Sequence, residues 1–381
     1  MSEWKECTIG ELCSNICSGG TPNRSNDSFY NNGNIPWLNT KEVSFNRIYQ
    51  TENFITELGL KNSAAKWIPQ NTVVVAMYGA TAGKSAIVKI PVTTNQACCN
   101  LTIDGSKADY RFVYYSLFNR YEHLASLANG GAQQNLNAGL IREFKISVPE
   151  LETQTKIADI LSSIDDKIEL NNQINRNLEE QAKAIFYSVY DKAVNQVPFT
   201  SIISIASGGT PKTSESSFWN GNIPFFTPKD VGFPFTLNTE KYITDEGLNN
   251  CNSRLYPTNT TFITARGTVG KLSLAAMPMA MNQSCFALVS ERINPILIYM
   301  YAIRAVDSLK KKSNGAVFDA ITIKDFETER VNKLSDEEIK SLSSVIEPIY
   351  NQIRLNTIEN HRLSDLRDSL LPKLMSGDLG V

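Results

Sequence analysis

A glycine-rich segment followed by a lysine and a serine is the part of the sequence closest to a catalytic motif. It runs Gly79-Ala-Thr-Ala-Gly83-Lys84-Ser85 and follows an apolar stretch. A nucleotide-binding phosphate loop needs four residues between its glycines, but here three intervene and Tyr78 stands where the first glycine should be. A second copy, Gly267-Thr-Val-Gly270-Lys271-Leu272, also lacks the hydroxyl that would bind magnesium. We interpret both segments as tight β-turns beside a lysine.

A second pair of motifs, Asn34-Ile-Pro-Trp37 and Asn222-Ile-Pro-Phe225, is similar to the Asn-Pro-Pro-aromatic signature of amino-methyltransferases. The second position is isoleucine in both copies, and no glycine-rich cofactor loop of the methyltransferase type precedes either one. We interpret both motifs as strand starts in which the proline restricts the residue before it. No carboxylate pair has a spacing that suggests hydrolysis. The sequence therefore predicts no catalytic residue.

The histidines and cysteines predict neither a metal site nor a disulfide framework. The chain has two histidines and seven cysteines, an odd number, and no two cysteines are spaced as Cys-x-x-Cys. A Ser–His–Asp site would have to use His123 or His361, and we consider it improbable. Cys98 and Cys99 follow an apolar stretch, which predicts buried thiols.

The composition is that of a globular protein, with 381 residues, 42% of them hydrophobic and 20% charged. That length predicts two or three domains. The net charge of −2 argues against a general polyanion binder, so basic groups that bind nucleic acid would be local or supplied by a partner. No apolar run approaches the roughly 18 residues of a membrane span, and no signal peptide is recognisable. We expect a soluble, cytoplasmic protein with no membrane partner.

The chain contains a tandem duplication. The repeated motifs are Ser18-Gly-Gly-Thr-Pro22 and Ser207-Gly-Gly-Thr-Pro211, Gly33-Asn-Ile-Pro-Trp37 and Gly221-Asn-Ile-Pro-Phe225, Asn95-Gln-Ala-Cys98 and Asn282-Gln-Ser-Cys285. The period is about half of the chain, which is too long for a solenoid repeat. Short β-rich runs alternate within each half with helical segments, which are predicted at Tyr110–Leu127 and Pro295–Lys312. This pattern predicts two similar domains of mixed α/β (α+β) structure.

Each half ends in a long segment with apolar residues at alternating steps of four and three, the heptad spacing of paired helices. The predicted pairing residues are Ile157, Leu161, Ile164, Ile168, Asn171, Asn175, Leu178 and Ile185 in the first segment and Ile346, Ile349, Ile353, Asn356, Asn360 and Leu363 in the second. Asparagines at matching places would let the two helices pair with each other, and antiparallel packing would then give the chain an approximate two-fold axis. Two separate helices, each covering its own domain, remain an alternative. The predicted domains are 1–150 and 195–333, with helices at 151–194 and 334–381.

This duplicated order of motifs resembles the DNA specificity subunits of type I restriction–modification systems. The resemblance covers essentially the whole chain and includes the end of the second helix, Leu370-Leu-Pro-Lys-Leu-Met-Ser-Gly-Asp-Leu379. It implies a non-catalytic subunit with two target-recognition domains, each recognising one part of a bipartite site in double-stranded DNA. It also implies that the two long helices form an antiparallel coiled coil, which sets the length of the unspecified spacer between the two parts.

The same resemblance implies the partners of the chain. Two methyltransferase subunits would dock on the helices and supply S-adenosylmethionine binding and base flipping. Restriction subunits with motor and nuclease activity would complete the complex, and we expect ATP and magnesium on partner subunits, with no cofactor in this chain. The alternatives are a tandem protein-interaction scaffold without DNA contact and an enzyme that acts alone.

Comparison of the two halves suggests candidate DNA-binding residues. Lysines present in both halves are candidates for phosphate contacts, whereas side chains that differ at equivalent positions are candidates for base recognition. The shared lysines are Lys41, Lys229, Lys84 and Lys271. The differing residues are Tyr78, which lies near the position of Arg266, and Gln133, Gln134 and Asn135. Further candidates are Arg24 and Arg47 in polar loops, Lys212, and the basic run Lys310, Lys311 and Lys312.

Overall fold

The computed structural model describes residues 4–128, 135–312 and 320–381. The chain forms two compact units. Unit 1 comprises Met1–Asp166 and Leu363–Val381, and unit 2 comprises Lys167–Arg362. Each unit therefore contains one half of the sequence repeat and a part of both long helices. The predicted DNA-binding residues Gln133 and Gln134 lie outside the described residues.

The described residues of unit 1 form three sheets. Its elements are β1 (Lys5–Thr8), α1 (Ile9–Leu12), β2 (Cys13–Ser18), β3 (Ile35–Leu38), β4 (Asn46–Ile48), β5 (Phe54–Ile55), α2 (Glu57–Lys61), β6 (Trp67–Ile68), β7 (Val73–Ala76), β8 (Ser85–Val88), β9 (Val92–Thr94), β10 (Cys98–Ile103), α3 (Tyr110–Asn119), α4 (Tyr121–Ser126), α5 (Ala138–Glu143), β11 (Lys145–Val148) and the first part of α6 (Leu151–Tyr190). The sheets have the strand orders β2-β10-β7-β8-β4, β5-β3-β9-β6 and β1-β11.

Unit 2 repeats this topology with three strands in place of four in its second sheet. Its elements are the rest of α6, β12 (Gln196–Pro198), β13 (Ser204–Ser207), β14 (Trp219–Phe226), β15 (Phe235–Thr236), β16 (Lys241–Ile243), α7 (Asp245–Asn249), β17 (Thr261–Thr264), β18 (Leu272–Ala275), β19 (Ala280–Met281), β20 (Cys285–Val289), α8 (Pro295–Lys312), α9 (Ile323–Thr328), β21 (Arg330–Asn332) and most of α10 (Asp336–Ser376). The strand orders are β13-β20-β17-β18-β15, β16-β14-β19 and β12-β21. The predicted duplication and the mixed α/β class are confirmed.

The central strand of each five-stranded sheet is buried along its whole length. It is entirely apolar in β7, whereas β17 has a buried threonine at each end of Phe262-Ile263. All four residues of β7 are buried, and so are all four of β17. Alternate β7 side chains face two different apolar clusters. The segment 110–127, predicted as one helix, is divided into α3 and α4 by Arg120. The division lets Tyr121 pack edge-on against Phe45, which also stacks on Phe118.

The two long helices form as predicted, and α10 continues through Pro348. Within unit 2, Asn356 donates from Nδ2 to Asn175 Oδ1 over 2.8 Å. Asn171 donates from Nδ2 to Asn360 Oδ1, also over 2.8 Å. Residue numbers rise along α6 as they fall along α10, so these segments run antiparallel. The continuous heptad packing of a coiled coil stays a prediction.

All of the predicted pairing residues are buried or half-buried. Some of them pack on a domain core, so helix pairing is not their only role. Ile157 and Leu161 join the unit 1 cluster around α3, while Ile346 and Ile353 join the unit 2 cluster around α8. No helix in the described part of the chain is long and apolar enough to cross a membrane.

Candidate nucleic-acid interface

The Ser-Gly-Gly-Thr-Pro motif forms a loop that packs directly against the sheet containing β9 in unit 1 and β19 in unit 2. A Cβ atom on Gly19 would lie 2.0 Å from the backbone oxygen of Thr94, and one on Gly208 would lie 2.1 Å from that of Asn282. Only glycine permits such a close approach. The next residue, Gly20, donates its backbone N–H to Thr94 over 2.9 Å. The repeated glycines therefore have a structural role.

The same loop is bonded to the repeated Asn-Gln motif. Thr21 donates from Oγ1 to Gln96 Oε1, and Thr210 donates in the same way to Gln283. The first asparagine of that motif shapes its turn, because Asn95 Oδ1 accepts from the backbone N–H of Ala97 over 3.1 Å. Two motifs that are distant in sequence thus form one scaffold in each unit.

Each unit has an acidic residue at the same position, and its carboxylate holds the loop that carries Lys41 in unit 1 or Lys229 in unit 2. Glu42 accepts from the backbone N–H groups of Asn39 and Glu52 over 3.0 and 2.9 Å. In unit 2, Asp230 accepts from the backbone N–H groups of Thr227 and Glu240 over 2.8 and 2.7 Å. Neither carboxylate was predicted from the sequence, although the repeat of Lys-Glu-Val as Lys-Asp-Val was a visible signal.

Lys41 and Lys229, two of the shared lysines, form equivalent ion pairs at the surface. Lys41 Nζ lies 2.5 Å from Glu52 Oε2, and Lys229 Nζ lies 3.6 Å from Glu240 Oε2. The hydrogen bond with Glu52 raises the pKa of Lys41 above its ordinary value. All four side chains are mostly exposed, so these pairs are weak and the lysines can exchange a carboxylate for a phosphate.

The tight-turn interpretation of the glycine-rich segments is confirmed. Gly79 and Gly267 both have a φ of 79°, a conformation that favours glycine. Thr81 Oγ1 donates to the backbone oxygen of Thr40 over 2.8 Å, which holds the turn beside the Lys41 loop. Tyr78 and Arg266 are exposed at the start of their turns.

The lysines that follow the two turns differ in exposure. Lys84 is half-buried, and its Nζ lies 5.9 Å from the centre of the Phe45 ring, whereas Lys271 is exposed. Asn135 and Lys212 are also exposed. These positions are open to a ligand but do not by themselves identify one.

An open cavity of about 650 Å³ lies beside the Lys41 loop of unit 1. The lining residues are Arg24, Asp27, Tyr30, Trp37, Asn39, Thr40, Lys41, Asn53 and Asn95. The structure thus brings together Arg24 and Lys41, two of the predicted DNA-binding residues. Asp27, Asn39 and Asn53 were not predicted from the sequence. Their differences from the equivalent residues of the second half were the signal that could have identified them.

Arg47 occupies a different environment from the one expected. The prediction of a polar loop is wrong, because Arg47 lies in β4, where its backbone pairs with β8. Its side chain is 11% exposed, and its guanidinium is bonded to Asp166 and to the backbone oxygen of Ser162 in α6. Arg47 therefore joins a sheet edge to the long helix.

The basic run of unit 2 ends helix α8, where positive charge stabilises the helix dipole. Lys312 Nζ lies 2.6 Å from the buried carboxylate of Glu329. Lys310 Nζ donates to the backbone oxygen of Gly270 over 3.4 Å, and Lys311 is exposed. Two of the three lysines thus have structural contacts in addition to any contact with a ligand.

The cysteines are free thiols, and the predicted burial of Cys98 and Cys99 is confirmed. Burial raises the pKa of Cys99 to about 12. Within residues 4–128, 135–312 and 320–381, no group of three or more histidine, cysteine or acidic side chains could hold a metal ion.

Comparison with known proteins gives a consistent result over the whole chain. The sequence model of the type I restriction modification DNA specificity domain matches twice, at residues 1–180 and 192–364. The type I restriction enzyme MjaIX specificity subunit of Methanocaldococcus jannaschii is 24% identical over 421 residues, which cover 100% of this chain and 97% of that protein. The HindI specificity subunit of Haemophilus influenzae is 20% identical over 468 residues and matches along the full length of both chains.

A solved structure has the same fold. The crystal structure of a type I restriction–modification S subunit from M. genitalium superposes with a TM-score of 0.61 and 18% sequence identity, covering 98% of this chain and 96% of that chain.

Proposed function

This chain belongs to the type I restriction–modification DNA specificity family, and from that premise we propose that each of its units recognises one part of a bipartite DNA target. As a specificity subunit it is a non-catalytic component that assembles with other subunits and with DNA. The methyltransferase subunits would bind S-adenosylmethionine, and the restriction subunits would use ATP and magnesium. These activities belong in the cytoplasm, where the DNA is.

One observation carries this proposal: the two units have the same scaffold but differ in the side chains that they expose on it. The Gly19 and Gly208 contacts and the Lys41 and Lys229 ion pairs are common to both units. Tyr78, in contrast, stands near the position of Arg266. Contacts to phosphates do not depend on sequence, whereas contacts to base edges do. Shared lysines with variable neighbours therefore suit two half-sites of different sequence.

We assign to the long helices the docking of methyltransferase subunits and the length of the spacer. Exposed apolar residues recur at equivalent positions of α6 and α10, namely Ile160 with Val345 and Leu170 with Leu355. Exposed apolar side chains at repeated positions suit two copies of one partner. Replacing Leu170 and Leu355 by lysine should weaken capture of the methyltransferase subunit. Equivalent capture by this variant and the wild type would contradict the assignment.

The experiment that tests the proposed function is methylome sequencing of cells that express the candidate methyltransferase subunit with and without this chain. We expect a split motif, with two defined blocks around an undefined gap, only when the chain is present. Inserting one heptad into both helices should lengthen that gap. A stable complex that methylates no new motif would refute the proposal.

The interaction-scaffold alternative predicts a different binding behaviour. A protein with phosphate contacts loses DNA affinity steeply as salt rises, because counterions are released on binding. We therefore expect the purified complex to bind DNA that contains the motif it methylates, with an affinity that falls steeply as the salt concentration rises. Absence of DNA affinity at low salt would favour the scaffold, and S-adenosylmethionine binding by this chain alone would favour an independent enzyme.

A further inference from the structure

Two kinds of residue line the cavity of unit 1. They differ in whether the equivalent residue of unit 2 has the same chemical character. Four lining residues keep their chemical character in unit 2. They are Tyr30, Trp37, Lys41 and Asn95, whose equivalents are Trp219, Phe225, Lys229 and Asn282. Five others change, since Arg24, Asp27, Asn39, Thr40 and Asn53 correspond to Thr213, Ser216, Thr227, Pro228 and Lys241. Thr40 holds the neighbouring turn through its backbone oxygen, as Pro228 does in unit 2. We call the other four, Arg24, Asp27, Asn39 and Asn53, the variable rim.

The retained residues are occupied by structural contacts. Trp37 donates from Nε1 to the backbone oxygen of Gly20 over 3.0 Å. Tyr30 donates its hydroxyl to the backbone oxygen of Pro22 over 2.5 Å. Lys41 forms its ion pair with Glu52. These side chains build the cavity, which explains why the second unit retains their character.

The variable rim has polar groups left for a ligand. Among the described residues, none forms a hydrogen bond or an ion pair with the side chains of Arg24, Asp27 or Asn53, and Arg24 and Asp27 are exposed. Asn39 accepts one hydrogen bond, over 3.3 Å from Asn95, and keeps its Nδ2 donors. A guanidinium, a carboxylate and two amides thus surround one open volume with unused donors and acceptors.

This combination matches the edges of DNA bases. In the major groove, arginine pairs with guanine, asparagine pairs with adenine, and a carboxylate accepts from the amino group of cytosine. Bridging waters can complete such contacts at a polar interface. The negative charge of Asp27 would repel a phosphate group. Its presence in the cavity therefore favours recognition of base edges over a site that binds only an anion.

Building on the proposed function, we propose that the variable rim, Arg24, Asp27, Asn39 and Asn53, determines which bases unit 1 accepts in duplex DNA. The rim contacts base edges in the major groove, while Lys41 contacts the adjacent phosphate. The four different residues of unit 2 then give that unit a different preference on the same scaffold.

The test exchanges the rim for its counterpart, with Arg24→Thr, Asp27→Ser, Asn39→Thr and Asn53→Lys in the full chain. The variant is expressed with the methyltransferase subunit, and the methylome is sequenced. We expect one block of the split motif to change and the other to stay the same, with methylation of the original sites reduced roughly tenfold or more. The control Lys145→Thr removes an exposed charge of unit 1 from the two-stranded sheet, and it should leave both blocks unchanged.

An unchanged motif in the exchanged variant would overturn the inference. If the variant complex methylates nothing, selection from random duplex DNA measures its preference directly. Loss of preference in one block supports the inference, while retained preference in both blocks, or loss in both, overturns it. A wild-type complex without a split motif would instead refute the proposed function, and this inference with it.

Discussion

A charged cluster in unit 1 makes the stability of that unit depend on one carboxylate. Asp165 of α6 accepts a hydrogen bond from Arg367 Nη1 of α10 over 2.8 Å and another from the Tyr115 hydroxyl of α3 over 2.6 Å. The side chains of Asp165 and Arg367 are only 14% and 15% exposed. The cluster therefore joins three helices in a largely dehydrated place.

Replacing Asp165 by alanine leaves the Arg367 charge buried without its main partner. Breaking a buried pair in this way costs about 3–5 kcal/mol. Arg367 keeps its contact of 2.8 Å with the more exposed carboxylate of Asp368, so we expect about 3 kcal/mol. For a unit of this size the melting temperature should then fall by roughly 6–12 °C.

Tryptophan fluorescence can follow this unit, because Trp4, Trp37 and Trp67 belong to it and only one further tryptophan exists. Asp165→Ala is compared with Lys145→Ala, which removes an ion pair whose side chains are both 61% exposed and should cost less than about 1 kcal/mol. A double-mutant cycle with Arg367→Ala should give a coupling free energy of about 2 kcal/mol. A loss for Asp165→Ala no larger than for Lys145→Ala would refute the reasoning.

Three further results are expected. Because burial raises the pKa of Cys99 to about 12, iodoacetamide at pH 8 should leave this thiol unmodified in the native protein. Mass spectrometry measures the labelling, and a rate as fast as in denaturant would contradict the burial of Cys99. Gly19→Ala should destabilise unit 1 by about 2 kcal/mol or more in thermal unfolding, whereas Gly105→Ala should be nearly neutral because a Cβ there meets nothing within 4 Å. Equal effects of the two substitutions would be inconsistent with the close packing of Gly19. Asn356→Leu should cost about 1–3 kcal/mol because it leaves the amide of Asn175 unpaired, and adding Asn175→Leu should recover most of that loss; additive losses measured by denaturant unfolding would argue against the paired amides.

The parts of the fold that local sequence determines were predictable. The four buried residues of β7 form an apolar run, those of β17 are Phe262 and Ile263 between two threonines, and the heptad spacing predicts both long helices. The break at Arg120 was not predictable, because nothing in the sequence of 110–127 interrupts a helix. Its context is the packing of Tyr121 on Phe45, a residue 76 positions earlier.

The candidate site was predictable only in part, for the same reason. Arg24 and Lys41 are basic residues in polar segments, so they were recognisable, and the cavity brings them together. Arg47 has the same local character, but its guanidinium binds α6. Neutral amides such as Asn39 carry no charge signal, and their place in the cavity depends on contacts between distant loops.

The division of the two units also has a consequence for biosynthesis. Leu371, Leu374 and Met375 belong to the apolar core of unit 1, together with residues of α3 and the start of α6. The ribosome makes them only after the whole of Lys167–Arg362, which forms unit 2. The half of the protein that is translated first therefore completes its core last. Until then its nascent core has an apolar gap, which makes the unfinished chain a substrate for chaperones and favours completion of unit 2 before unit 1.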